Sequence, residues 1–133
     1  MDRNEILNDV ERTFGSVPDF LKEIPDTALE EFWGLMKKVE MSQDTTIPPK
    51  YKELIGVAVA AALHCRYCSY FHTEAAKLNG ATEDEIKEAL LVASLTNLYS
   101  TFLNGSQYDL ESFKKEVDRT IYSVKHMMPA GVH

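Results

Sequence analysis

The chain has 133 residues, a length for one domain that can bury a core without a disulfide framework or a structural metal. Its formal charge of −7 disfavours nucleic acid, which needs a basic face, and a polybasic contact with anionic membrane. No apolar run reaches the ~18–20 residues of a membrane span, and Met1-Asp2-Arg3-Asn4-Glu5 lacks the basic-then-apolar order of a secretion signal, so a cytoplasmic protein is expected.

Almost every segment reads as helix, since strand-like alternation and hairpin dipeptides between apolar runs are absent. The first helix runs from about Asp2 to Thr13, with Ile6, Val10 and Phe14 at a spacing of four, and Gly15 and Pro18 break it. A short helical turn follows between Pro18 and Glu23. Pro25-Asp26 then open a helix to about Met41, whose buried stripe is Leu29, Phe32, Trp33 and Met36. Gly34 weakens that helix by ~1 kcal/mol relative to Ala, which suggests close packing or a local bend.

Ser42 to Ile47 is a polar connector, and Pro48-Pro49 suit a helix start, where a missing N–H costs nothing. Lys50 to Leu63 is apolar on nearly all sides after Glu53 and is expected to be central. A further helix ends near Asn79 with Gly80 as its stop. Thr82 and Glu85 form a capping box for a helix reaching Phe102-Leu103. Asn79-Gly80 and Asn104-Gly105 read as helix ends where glycine turns left-handed. The last amphipathic helix spans about Tyr108 to His126, with Leu110, Phe113, Val117 and Ile121 on its face. Residues 127–133 read as a frayed tail of a single domain, 1–133.

The chemistry lies at the two cysteines, Cys65-Arg66-Tyr67-Cys68. Such a pair can close a disulfide, bind a metal or trap an oxidant, and in a reducing compartment it is seldom structural. In a helix interior their Cβ atoms would lie ~5–6 Å apart. A bridge needs about 3.5–4.5 Å, so it belongs in a first helical turn. There the helix dipole also favours thiolate.

His72 is four residues beyond Cys68, on the same helical face, where it can accept a thiol proton and stabilise the thiolate. Glu53 either orients that imidazole or is a solvated first-turn residue. In one straight helix Glu53 and Cys65 would be about 18 Å apart. They can share a site only if the chain turns near His64 and runs back. Cys65, Cys68 and His72 could instead supply three zinc ligands, or the cysteines could be packed as small apolar residues. Tyr67 and Tyr70 flank the site, to bond a substrate oxygen or to serve as aromatic packing. Ser94, Thr96, Asn97 and Ser100, in an apolar helix, face a partner subunit or bond locally.

These residues resemble one family. Lys52-Glu53-Leu54-Ile55, the Ala-rich run, Cys65-x-x-Cys68, His72 and Asn79-Gly80-Ala81-Thr82 look like the alkylhydroperoxidase AhpD-like branch of the carboxymuconolactone decarboxylase family. Its pattern is Glu, eleven residues, Cys-x-x-Cys, three residues, His, and the detailed match covers about Pro48 to Leu91. Upstream, Phe14-Gly15-Ser16-Val17-Pro18 fits the same group.

The resemblance implies an all-α helical bundle whose central helical hairpin carries the dithiol, assembled as a homo-oligomer, commonly a trimer or hexamer. It implies a cofactor-free thiol peroxidase or disulfide reductase with catalytic Cys68, Cys65, His72 and Glu53. Cys68 attacks a hydroperoxide, Cys65 closes the disulfide, and Glu53 and His72 relay protons. A lipoyl group or a thioredoxin-like reductant protein restores the pair. The family's best-known peroxidase carries a second histidine between its cysteines, where this chain has Tyr67, and that removes one arm of the relay. The alternatives are a lactone-processing or decarboxylating enzyme using Glu53 and His72, and a zinc-holding or structural oligomeric module.

Overall fold

The computed structural model describes residues 1–127, and every regular element among them is helical. Helix α1 (Arg3–Phe14) starts from a capping box: the Asp2 side chain accepts the Glu5 N–H at 2.9 Å, and the Glu5 side chain accepts the Asp2 N–H at 2.8 Å. It stops at Gly15, φ 78°. Helix α2 (Asp19–Lys22) and helix α3 (Asp26–Leu35) follow, and α3 runs directly into a π-turn at Met36–Glu40. Helices α4 (Pro49–Ala62), α5 (Arg66–Leu78), α6 (Glu83–Gly105) and α7 (Leu110–Met127) complete the order. Met127 closes α7, and the rest of the expected frayed tail lies outside the described residues.

The chain divides into two compact units, Met1–Ala93 and the part from Ser94 onward. The first unit holds two apolar clusters. One gathers Ile6 and Val10 of α1, Leu21 of α2, and Leu29 and Trp33 of α3, with Phe14 edge-on to Trp33 at 5.2 Å. Asp9 anchors it by accepting from Trp33 Nε1 at 2.7 Å and Lys37 Nζ at 2.8 Å. Phe32 does not join the predicted stripe and is 60% exposed. Neighbours on a helix point ~100° apart, and Trp33 takes the inward position. Gly34 is not a close-packing site, because a Cβ there would meet nothing within 4 Å. The chain is still regular α-helix at Gly34, and the π-turn begins two residues later, at Met36.

The second cluster gathers Val57 of α4, Ala76 of α5, Ala81 and Ile86, with Leu54 against it. Helix α4 buries Glu53, Val57 and Ala60, one face only. Ile55, Val59 and Leu63, spaced by four, leave the opposite face open, so α4 is less enclosed than its composition predicts. The start of α6 follows the predicted box, with Thr82 Oγ1 accepting from the Glu85 N–H at 3.1 Å. Glu85 also pairs with Lys50 at 2.8 Å, joining that turn to the start of α4.

In the second unit Asp109 caps α7 by accepting the Ser112 N–H at 2.9 Å, and the Tyr108 hydroxyl donates to Glu116 at 2.7 Å. Gly80 is left-handed as expected, φ 89°. After α6 the left-handed residue is Gln107, φ 54°, and not Gly105.

Candidate functional site

Leu63 ends α4 and His64 takes a left-handed conformation, φ 56°, which reverses the chain. Cys65 is then the N-cap of α5, with extended backbone, and its Sγ accepts the Cys68 N–H at 3.2 Å. Cys65 and Cys68 are bridged, with Cα atoms 5.4 Å apart. Both sulfurs therefore occupy the first turn of a helix, where the backbone has the freedom to bring them together and the dipole favours negative sulfur.

The reversal lays α5 along α4 and brings His72 level with Glu53. His72 Nδ1 donates to Glu53 Oε2 at 2.7 Å. A carboxylate only accepts, so Nδ1 carries the proton and Nε2 remains to take or give one. Glu53 is 4% exposed, so its first-turn position is not a solvated one. The two helices approach this closely because position 56 is glycine. A Cβ there would lie 2.4 Å from His72 Nδ1. Sequence reasoning passed over Gly56, and its only signal was a glycine inside an otherwise Ala-rich helix.

It also missed Glu40. The π-turn, an i→i+5 register that recurs at functional sites, brings Glu40 Oε1 to 3.4 Å from His72 Nδ1. Nδ1 has one proton, and the nearer Glu53 receives it. Glu40 Oε1 is left buried with no hydrogen-bond partner. Burial, then the adjacent Glu53 charge, holds the Glu40 carboxyl above its ordinary range. Lys52 of α4 secures the turn: its ammonium donates to the Ser42 carbonyl at 3.2 Å, to the Val39 carbonyl and to the Thr45 hydroxyl. No periodicity in the sequence reports such a register change.

Glu40, Glu53 and His72 gather three donor atoms within 4.8 Å of one another, but Nδ1 has given its lone pair to a proton. Of the alternative zinc set Cys65, Cys68 and His72, the two sulfurs are bonded to each other here.

An open cleft of about 1230 Å³ and a smaller cavity of about 330 Å³ meet here, and Glu40, Cys68 and His72 line both. The cleft has apolar walls from Phe20, Met36, Phe71 and Leu78, with Arg66 and Glu74 among its polar groups. Tyr67 and Tyr70 also line it, 81% and 74% exposed, so within the described chain they are wall residues, not packed aromatics. Glu53 lies behind His72 and reaches the cleft through it.

Residues 27–108, more than half of the chain, match the model of the Carboxymuconolactone decarboxylase family. The chain belongs to the carboxymuconolactone decarboxylase family. The match contains Glu40, Glu53, Cys65, Cys68 and His72.

An uncharacterised protein of Cupriavidus necator is 35% identical over 86 residues, 65% of this chain and 71% of that protein. An uncharacterised protein of the cox locus of Paracoccus denitrificans is 39% identical over 51 residues, 38% of this chain and 46% of that protein. The crystal structure of the alkylhydroperoxidase AhpD core from Rhodospirillum rubrum superposes with a TM-score of 0.73 at 26% identity, covering 83% of this chain and 84% of that one. The fold of this family member is therefore AhpD-like.

Proposed function

We propose that the protein is a thiol–disulfide oxidoreductase that reduces hydroperoxides through the Cys65–Cys68 dithiol, with Glu53 and His72 as its proton relay. One observation carries the reading: a single helix start holds both sulfurs in bonding distance, and Cys68 shares a cavity wall with a histidine whose other nitrogen is fixed by Glu53.

The Cys68 thiol gives its proton to His72 Nε2. The thiolate attacks the terminal peroxide oxygen, an S–O bond forms as the O–O bond breaks, and the leaving alkoxide takes the proton back from His72. Cys68 is oxidised to the sulfenic acid and the peroxide is reduced to an alcohol. The Cys65 sulfur, favoured as thiolate by the Cys68 N–H, then attacks Cys68. The S–S bond forms and water leaves. An external dithiol, on a lipoyl group or a thioredoxin-like protein, reduces the bridge by exchange and is itself oxidised. Tyr67 between the cysteines supplies no imidazole, so the burden of proton transfer falls on His72. We further read the protein as a homo-oligomer, because α4, α6 and α7 carry rows of exposed apolar side chains.

The reduced protein, mixed with cumene hydroperoxide, tests the roles. Cys68→Ser abolishes peroxide-dependent thiol oxidation. Cys65→Ser consumes about one equivalent, as the one remaining thiol allows, and stops as a sulfenic acid that a dimedone probe traps. The reverse pattern in the two variants would exchange their roles, and unreactive thiols in the wild type would remove the reading.

A further inference from the structure

Three acid–base groups meet at one imidazole nitrogen, and the relay just described uses only two of them. Resting on that reading, we propose that Glu40 is the proton donor for the second half of the cycle: it stands as a neutral carboxylic acid beside the Glu53–His72 pair and delivers its proton, into the cavity it shares with Cys68, to the hydroxide leaving the Cys68 sulfenic acid.

The geometry leaves Glu40 little alternative. Its Oε1 is buried and unpartnered, and the one N–H near it, His72 Nδ1 at 3.4 Å, is already donated to Glu53. The side chain keeps 28% exposure, but its buried oxygen, if ionised, would be desolvated, unpaired and beside a second carboxylate. These effects outweigh the opposing pull of His72 and Lys52, the arrangement in which one of two acids holds its proton more tightly. Lys52 is the nearby cation, and an ammonium has three donors. Its contacts to Val39, Ser42 and Thr45 use three, so it holds the π-turn without bonding the carboxyl. The groups facing Glu40 are therefore Glu53 and Lys52 of α4 and His72 of α5. Glu40 also stands in the walls of both cavities, so it can recover its proton from solvent after each cycle.

The step balances. The Cys65 thiolate attacks the Cys68 sulfenic sulfur, the S–S bond forms and the S–O bond breaks. The leaving hydroxide takes the Glu40 proton to become water, and Glu40 is left as carboxylate until water in the cleft reprotonates it. Cys65 is oxidised, the sulfenic sulfur is reduced, and Glu40 only moves a proton.

Two measurements on the full chain test this. Infrared spectra of the reduced protein at neutral pH should contain a protonated-carboxyl C=O band that disappears in Glu40→Gln. In single turnover with cumene hydroperoxide, Glu40→Gln should form the sulfenic acid at the wild-type rate and close the disulfide at least about tenfold more slowly, a typical size for loss of a general acid. Wild-type closure should slow as pH rises through the Glu40 transition, Glu40→Gln should lose that limb, and Glu40→Asp should recover part of it.

No such band in the wild type, or closure at the wild-type rate in Glu40→Gln, overturns the proposal while leaving the dithiol reading intact. A wild-type protein that forms no sulfenic acid overturns both. A metal ion bound stoichiometrically by the wild type and lost in Glu40→Gln would make Glu40 a ligand and overturn it as well.

Discussion

Two carboxyls of the first unit respond to their surroundings in opposite directions. Asp9 is held below its ordinary 3.8 by the hydrogen bond from Lys37 and then that from Trp33. Its contribution to stability is present above the ordinary value and is lost as pH falls through the lowered one. Glu40 is raised above its ordinary 4.5 by burial and then by the Glu53 charge, so the folded chain binds this proton more tightly than the unfolded chain. Its contribution is complete below 4.5 and is lost as pH rises through the raised value. Glu40→Gln stays neutral throughout. Its urea midpoint should therefore rise relative to wild type between pH 4 and pH 8, at an unchanged denaturant slope. An equal difference at both pH values would mean that Glu40 titrates alike in the folded and unfolded chains.

Among the elements, the α4–α5 pair makes the site, and a single missing methyl permits its contact. Helix propensity favours Ala over Gly by ~1 kcal/mol at an interior position. At Gly34 nothing opposes that preference, and Gly34→Ala should stabilise the protein by about 0.5–1 kcal/mol with turnover unchanged. At Gly56 a Cβ would collide with the His72 ring at 2.4 Å, and the collision outweighs propensity. Gly56→Ala should push the imidazole off Glu53 and lower peroxide turnover by about 100-fold, the scale of an ångström-sized misplacement. Urea unfolding together with steady-state peroxide consumption separates the two glycines. A fully active Gly56→Ala would mean that His72 can shift without cost, and that the Glu53 contact does not govern the rate.

At the scale of the molecule, α6 and α7 carry many exposed apolar side chains. Leu95, Leu98, Tyr99 and Phe102 of α6, and Leu110, Ile121 and Tyr122 of α7, are each more than half exposed. Soluble monomers seldom leave contiguous apolar patches beyond a few hundred Å² in water, and burial returns about 25 cal/mol per Å². Sedimentation equilibrium should therefore find a mass that is a multiple of 15.1 kDa, and Phe102→Glu or Ile121→Glu should reduce it. A wild-type protein sedimenting at 15.1 kDa would contradict the proposed assembly.

Much was determined by the residues alone, because local chemistry carries it. Spacing by four placed Ile6 and Val10 inward, the Thr82–Glu85 box started α6, and the strain of a mid-helix bridge put Cys65 and Cys68 at the head of a helix. The reach of an α-helix required a turn near His64 if Glu53 and His72 were to meet, and they do meet, at 2.7 Å. Tertiary structure alone decided the rest. Phe32 faces outward because Trp33 took the inward place, and Glu40 enters the site where Lys52, from another helix, holds the Val39 carbonyl of the π-turn and the Ser42 carbonyl just after it. Periodicity describes a helix by its own faces. It cannot report a register change imposed by a neighbour, or the absent methyl at Gly56 that lets an imidazole sit against a backbone.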